Sequence, residues 1–184
     1  STGRAKDYST FSVMNQYGVQ KAAFKGRIPV NKLRDLLASI GREYGDALIA
    51  VEANGVGEAV TAGLQEIGYP NLYYTVKILK ESRTSEPEVK KIPGWFTTSS
   101  NRELIINLLV QDVEEGNCEI YNPFFASEAY SFIYDDLNRP VAMNKGDYIG
   151  DGVETYTDDS IIAEAIVNYI RKKNTRTLEI VNPI

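Results

Sequence analysis

The stretch "YTDDSIIAEAIVNYIRKK", residues 156–173, has a helical body and an unusual start. Ile161, Ile162, Ala165, Ile166, Tyr169 and Ile170 recur at i, i+1, i+4, i+5, i+8 and i+9, which is one apolar face of an α-helix. Ahead of that face stand two adjacent carboxylates, Asp158 and Asp159. Asp is a favoured N-cap and suits the positive end of the helix dipole, yet only one residue can be the cap. Like charges this close raise each other's pKa unless a cation neutralises them. A bound divalent ion would supply that cation, so the doublet is a candidate metal-ligand pair as well as a candidate cap.

Composition narrows the chemistry. The chain has 184 residues and no histidine, with 25 Asp and Glu against 20 Lys and Arg. Ser-His-Asp and Cys-His catalysis are excluded, as are His-ligated zinc sites. Acid–base or metal chemistry rests on Asp and Glu, whose hard oxygens favour Mg²⁺, Mn²⁺ or Ca²⁺. A net charge of −5 argues against a generally basic coat but leaves room for a local basic groove. The lone Cys118 forms no internal disulfide and reads as a small buried apolar residue. No apolar run is long enough to span a bilayer and no signal-peptide pattern opens the sequence.

Upstream, the patterning alternates between strand and helix. Residues 7–28 read as a hairpin around a turn at 16–18. "VNKLRDLLASIGREYG" is an amphipathic helix with Asn31 as its N-cap. "ALIAVEAN" is a buried strand ending at Glu52, and "GVGEAVTAGLQEIG" is a helix closed by Gly68. "NLYYTV" is a further strand. The polar stretch at 77–93 is an excursion loop or hairpin. "SSNRELIINLLVQDVEEG" is a helix capped by Ser99 or Ser100, "CEIYN" a short strand, and "FASEAYSFIYD" another helix. A Gly-rich loop then leads into the final helix. Neither a repeat nor a linker interrupts this order, so 1–184 reads as a single α/β domain with parallel pairing at its centre.

Several positions carry chemistry. Glu52 follows an apolar run and precedes Asn54-Gly55. A carboxylate at the carboxyl end of a buried parallel strand lies where α/β folds place ligands. Lys77, Lys80, Arg83, Lys90 and Lys91 in the excursion are candidate phosphate contacts. Gly55-Val56-Gly57 lacks the third position of a dinucleotide fingerprint and reads as a tight strand-to-helix turn; there is no P-loop. Trp95 and Phe96 read as core anchors, Asp135-Asp136 as a solvated turn, and Glu128 as helix surface or a structural hydrogen-bonding residue.

The order and spacing of these pieces resemble the nuclease domain of the large terminase subunit of tailed bacteriophages, which has an RNase H-like fold. The resemblance rests on "GRAKDYSTFSV", "FKGRIPVNKLRDLL", "REYGDALIAVEANGVGEAV", "LQEIGYPNLYY", "GWFTTSSNRELIINLL" and "YTDDSIIAEAI" in sequence. Thr157 stands where His more often precedes the family's two aspartates. The resemblance implies a mixed sheet flanked by helices and three acidic stations holding two divalent ions, Mg²⁺ or Mn²⁺. Glu52 matches the second station and Asp158 with Asp159 the third. Asp7 matches the Asp-Tyr pair opening the second strand, so the first-station Asp is expected just before Ser1, and weak metal binding with low or no cleavage is expected without it. In such a mechanism ions ~3.5–4 Å apart activate a water and stabilise the leaving oxygen of a phosphodiester.

The implied activity is endonucleolytic cutting of concatemeric viral double-stranded DNA during packaging, in the cytoplasm of the infected host. The implied partners are DNA, a terminase ATPase domain, the small terminase subunit and the portal, with no membrane. Two other readings stay open. One is another RNase H-like nuclease of resolvase or recombinase type. The other is a catalytically silent DNA-binding or assembly module of the same fold.

Overall fold

A computed structural model describes residues 8–80, 88–134, 136, 140–142 and 157–181, with the side chains of 80, 142 and 175–181 excepted. In chain order the elements are β1 (Ser9–Met14), β2 (Gln20–Gly26), α1 (Val30–Glu43), α2 (Val56–Glu66), β3 (Tyr74–Lys80), β4 (Glu88–Pro93), α3 (Ser99–Glu114), α4 (Pro123–Ala129), β5 (Phe132–Tyr134), β6 (Pro140–Ala142) and α5 (Asp159–Val181). They fall into two compact units, one of Arg27–Thr98 and one of Tyr8–Gly26 with Ser99–Ile184. Among the described residues no helix is long and apolar enough to cross a membrane.

In the Arg27–Thr98 unit, α1 and α2 bury Ala38, Val60, Leu64 and Tyr69, with Leu33, Leu37, Ile49 and Val51 packed around them. Burial of this kind is the main driving force for holding two helices together. Asn31 is not the cap of α1. The N-cap is Pro29, with no side-chain cap bond, and its carbonyl accepts from Leu33 N at 2.9 Å. Proline's fixed φ starts the helix ahead of Asn31. Gly68, at φ 65°, follows α2 as expected.

The apolar run before Glu52 pairs in parallel, as expected, but through single bridges rather than a long ladder: Ile49 with Leu72, and Glu52 with Trp95. Ile49 N donates to Asn71 O at 2.9 Å and Trp95 N to Val51 O at 2.7 Å. The excursion pairs as a hairpin, with β3 antiparallel to β4 and Lys77 opposite Lys90; residues 81–87 lie outside the described residues. Trp95 is buried, as its reading as a core anchor requires.

The second unit is organised around α5. β1 and β2 form the expected antiparallel hairpin, with a register shift between Val13 and Met14. Gly18 at φ 85° lies in the turn. "CEIYN" contributes one parallel bridge, Val19 with Glu119. Ser99 and Ser100 open α3 rather than preceding it. The expected helix over 125–135 stops at Ala129, and Phe132–Tyr134 pairs with β6 instead. Ser131 Oγ donates to Glu128 O at 2.9 Å and closes the short helix, and Phe-Ile-Tyr suits a pleated surface better than a helix. The Gly-rich loop expected over 142–157 begins with Ala142 in β6, and its residues 143–156 lie outside the described residues.

Along α5, Ile161, Ile162, Ala165, Ile166 and Ile170 are buried, as the periodicity predicts. A second stripe, Ser160, Glu164 and Asn168, is also fully buried. Its polar atoms are largely matched: Asn168 Nδ2 donates to Asp112 Oδ2 at 2.7 Å, Ser12 Oγ donates to Glu164 Oε2 at 2.8 Å, and Gln20 Nε2 donates to Glu164 Oε1. Buried polar groups need such partners to be tolerated. Lys172 Nζ adds a 2.6 Å ion pair to the buried Asp112, so α5 is tied to α3 by charge as well as by apolar packing.

Candidate metal centre

Asp158 and Asp159 stand at the start of α5, but their side chains do not cap it. The free amides of Ser160 and Ile161 donate to Glu128 Oε2 of α4, at 2.7 and 3.1 Å. Asp158 takes part through its backbone, its carbonyl accepting from Ile162 N at 2.9 Å. The capping carboxylate therefore comes from 30 residues upstream, where its charge also favours the positive end of the helix dipole. Glu128 is the structural hydrogen-bonding residue that its sequence reading allowed, and its target is the helix that carries the doublet.

Released from capping, each aspartate has its own cation. Arg102 Nη2 lies 2.5 Å from Asp158 Oδ2, and the same guanidinium donates through Nη1 to Pro140 O at 2.7 Å. Lys25 Nζ lies 3.6 Å from Asp159 Oδ2. That ammonium is shared: it also pairs with Glu128 Oε1 and donates to Thr157 Oγ1 at 2.8 Å. The Asp159 carboxyl is raised above its ordinary range, mainly by burial; Lys25 opposes the rise, while Glu128 and Asp158 add to it. The repulsion inferred between the adjacent aspartates is therefore present and partly compensated within the protein.

Sequence reasoning missed Lys25 and Arg102. Lys25 lies 134 residues before Asp159 and Arg102 lies 56 before Asp158, and neither sits in a pattern that marks a partner. Thr157, in the position where His is more usual in the resembled family, is wired to Glu128 and Lys25. Cys118 is buried and its thiol is pushed up to about 11, mainly by burial, which leaves it without a nucleophile's thiolate at neutral pH.

Glu52 belongs to the Arg27–Thr98 unit. Its side chain is exposed at the end of the parallel run, and its backbone is held on several sides. It bridges Trp95, and the next residue but one, Asn54, exchanges hydrogen bonds with Thr97 at 3.0 Å in each direction. A Cβ on Gly57 would lie 1.8 Å from the Glu52 carbonyl oxygen, so only glycine lets α2 start this close. The tight-turn reading of Gly55-Val56-Gly57 holds, with Gly55 at φ 64°.

Of the candidate phosphate contacts, Lys77, Lys90 and Lys91 are exposed on the hairpin. Lys77 and Lys90 face each other across it, and Lys77 Nζ lies 5.9 Å from the Phe96 ring centroid. Lys80 ends β3; its side chain and all of Arg83 lie outside the described residues, as does Asp135. Asp136 is exposed in a turn.

The doublet fits a hard divalent ion in donor type and in access. Both groups are carboxylates, with side chains 33% exposed at Asp158 and 39% at Asp159. Two carboxylates do not make a complete centre, and among the described residues no three acidic, His or Cys side chains gather at metal-binding spacing.

No protein-family model and no curated protein matches the sequence. Among solved structures, the chain is similar to the crystal structure of the large terminase nuclease from thermophilic phage G20c with bound cobalt. The TM-score is 0.60 at 20% sequence identity, over 89% of this chain and 74% of that one. The chain has the α/β, RNase H-like fold of a phage large terminase nuclease.

Proposed function

We propose that the chain is one nuclease domain, a metal-dependent endonuclease that cuts concatemeric viral double-stranded DNA during genome packaging. The observation that carries this reading is the fold likeness to a large terminase nuclease over 89% of the chain. The position of the Asp158–Asp159 doublet at the start of α5 supports it. In this reading Glu52, Asp158 and Asp159 hold two Mg²⁺ or Mn²⁺ ions, and the cobalt in the similar nuclease supports a divalent ion. Such ions, when bound, supply activation of the attacking water and stabilisation of the leaving oxygen.

The chain's own groups do the positioning. Asp158 is held tightly by Arg102, and Asp159 more loosely by Lys25. We therefore assign Asp159 as the direct ligand and Asp158 as its support. Lys77, Lys80, Arg83, Lys90 and Lys91 are assigned to DNA phosphates. Like charges opposite one another destabilise a hairpin, and a phosphate between Lys77 and Lys90 would relieve that repulsion. Cutting takes place in the cytoplasm of the infected host, with a terminase ATPase domain, the small subunit and the portal as partners.

A catalytically silent DNA-binding module is the second reading. It is favoured by the ion pairs that already occupy both aspartates. Incubation of supercoiled plasmid with the protein carrying the first-station Asp expected just before Ser1 separates the two. The nuclease reading expects nicked and linear products in Mn²⁺ or Mg²⁺ and none in EDTA. Plasmid that is bound and left intact in both ions would establish the silent module.

A further inference from the structure

Lys25 stands between two carboxylates that want it for different purposes. Its ammonium pairs with Glu128 Oε1 and lies 3.6 Å from Asp159 Oδ2. The side chain is only 10% exposed, so water does little to share its charge. Thr157 Oγ1 accepts from the ammonium at 2.8 Å and lies 3.2 Å from Glu128 Oε1, and the Tyr8 ring sits 5.3 Å away. Glu128 is in turn immobilised, because its other oxygen takes the Ser160 and Ile161 amides. The result is a buried ammonium anchored to a fixed carboxylate and only loosely paired with Asp159.

We infer that Glu128 is a positioning residue that restrains Lys25, keeping its ion pair with Asp159 loose so that this carboxylate stays available to a divalent cation. The inference rests on the assignment of Asp159 as a metal ligand. A cation held at Glu128 lowers the repulsion among Asp158, Asp159 and Glu128 before any ion arrives, while its own pair with Asp159, at 3.6 Å, is loose enough for a metal ion to displace. Without the Glu128 charge, the nearest remaining carboxylate to Lys25 in the described geometry is Asp159, and an ion pair there would compete with the metal. Groups outside the ligand set commonly tune metal sites in this way.

The test is a rescue. Glu128→Gln keeps an oxygen for the two helix amides and removes the charge that holds Lys25. It weakens Mn²⁺ binding to the full chain, read by electron paramagnetic resonance of free Mn²⁺, by ~10-fold or more. Adding Lys25→Met to the same protein removes the competitor and restores the affinity to near the wild-type value. A loss due to general damage would not be restored by a second substitution, and circular dichroism checks that both proteins fold. The metal-free crystal structure of Glu128→Gln gives an arm that does not depend on metal. Lys25 Nζ is expected at ~2.8 Å from an Asp159 oxygen, the distance of a charge-assisted bond.

Unchanged Mn²⁺ affinity in Glu128→Gln, absence of rescue, or a Lys25 that stays away from Asp159 would each overturn the inference. A chain that carries the first-station Asp and still binds no Mn²⁺, in a protein whose Lys25 tightens onto Asp159 once Glu128 is neutral, would instead overturn the metal assignment and leave the restraint standing.

Discussion

In the protein carrying the first-station Asp, Asp159→Ala and Glu52→Ala each lose DNA cleavage by more than ~100-fold, beyond the range that removal of an outer partner of a metal site brings. The physical reason differs from a folding defect. Glu52 is exposed at the end of its run, and its backbone is held by Trp95 and by the Asn54–Thr97 bonds; none of these uses the Glu52 carboxylate. Asp159 does not cap α5, since the free amides belong to Glu128, so its removal leaves the helix start intact. Both variants keep the wild-type melting temperature to within a few degrees. Asp158→Ala retains measurable cleavage, because its carboxylate is committed to Arg102. Gel assays on supercoiled plasmid at saturating Mn²⁺, with melting curves on the same preparations, check all three. Equal residual activity in Asp158→Ala and Asp159→Ala would contradict the division of roles.

Glu164→Gln flattens the pH dependence of stability between about pH 4.5 and 7. The Glu164 carboxyl is fully buried in α5 and is raised from an ordinary 4.5 to about 7, mainly by burial, against the opposing pull of the Ser12, Asn122 and Gln20 side chains. The folded chain holds this proton more tightly than the unfolded chain does. Folding is therefore favoured below pH 4.5, where both states carry the proton, and stability falls as pH rises through 7, where the folded state must bury a charge. A gap of that size corresponds to ~3 kcal/mol. The amide cannot ionise, and it can still bond Ser12 and Gln20. Urea denaturation of the variant matches the wild type near pH 4.5 and exceeds it by up to ~3 kcal/mol at pH 8. A wild-type advantage that grows with pH would reverse the sign and overturn the account.

What could be read from the sequence was local. The isoleucine face of α5 follows from a 3.6-residue period and is buried as that period predicts. The 77–93 excursion is a hairpin because strand-like residues flank a polar turn. Glu52 marks the end of the parallel run because a lone carboxylate interrupts apolar residues there. What escaped was set by partners distant in sequence. The polar stripe of Ser160, Glu164 and Asn168 has the spacing of a solvated helix face, and only β1, β2 and α3 make it interior, through Ser12, Gln20 and Asp112. An aspartate before an apolar helical face looks like a cap in any sequence; that Glu128 takes the amides depends on the placement of α4. Asn31 failed as a cap because Pro29 already starts α1, and the helix over 125–135 failed because tertiary pairing claimed Phe132–Tyr134 for a strand.

The proposed two-metal nuclease requires Glu52 and Asp159 to share a divalent ion. Anomalous diffraction from crystals soaked in Mn²⁺ tests it most directly. The expected result is a strong peak with oxygens of both Glu52 and Asp159 at ~2.1 Å, the distance of a small hard cation from its ligands. A peak bound to other residues, or none at Asp159 in a chain that cleaves DNA, would contradict the claim.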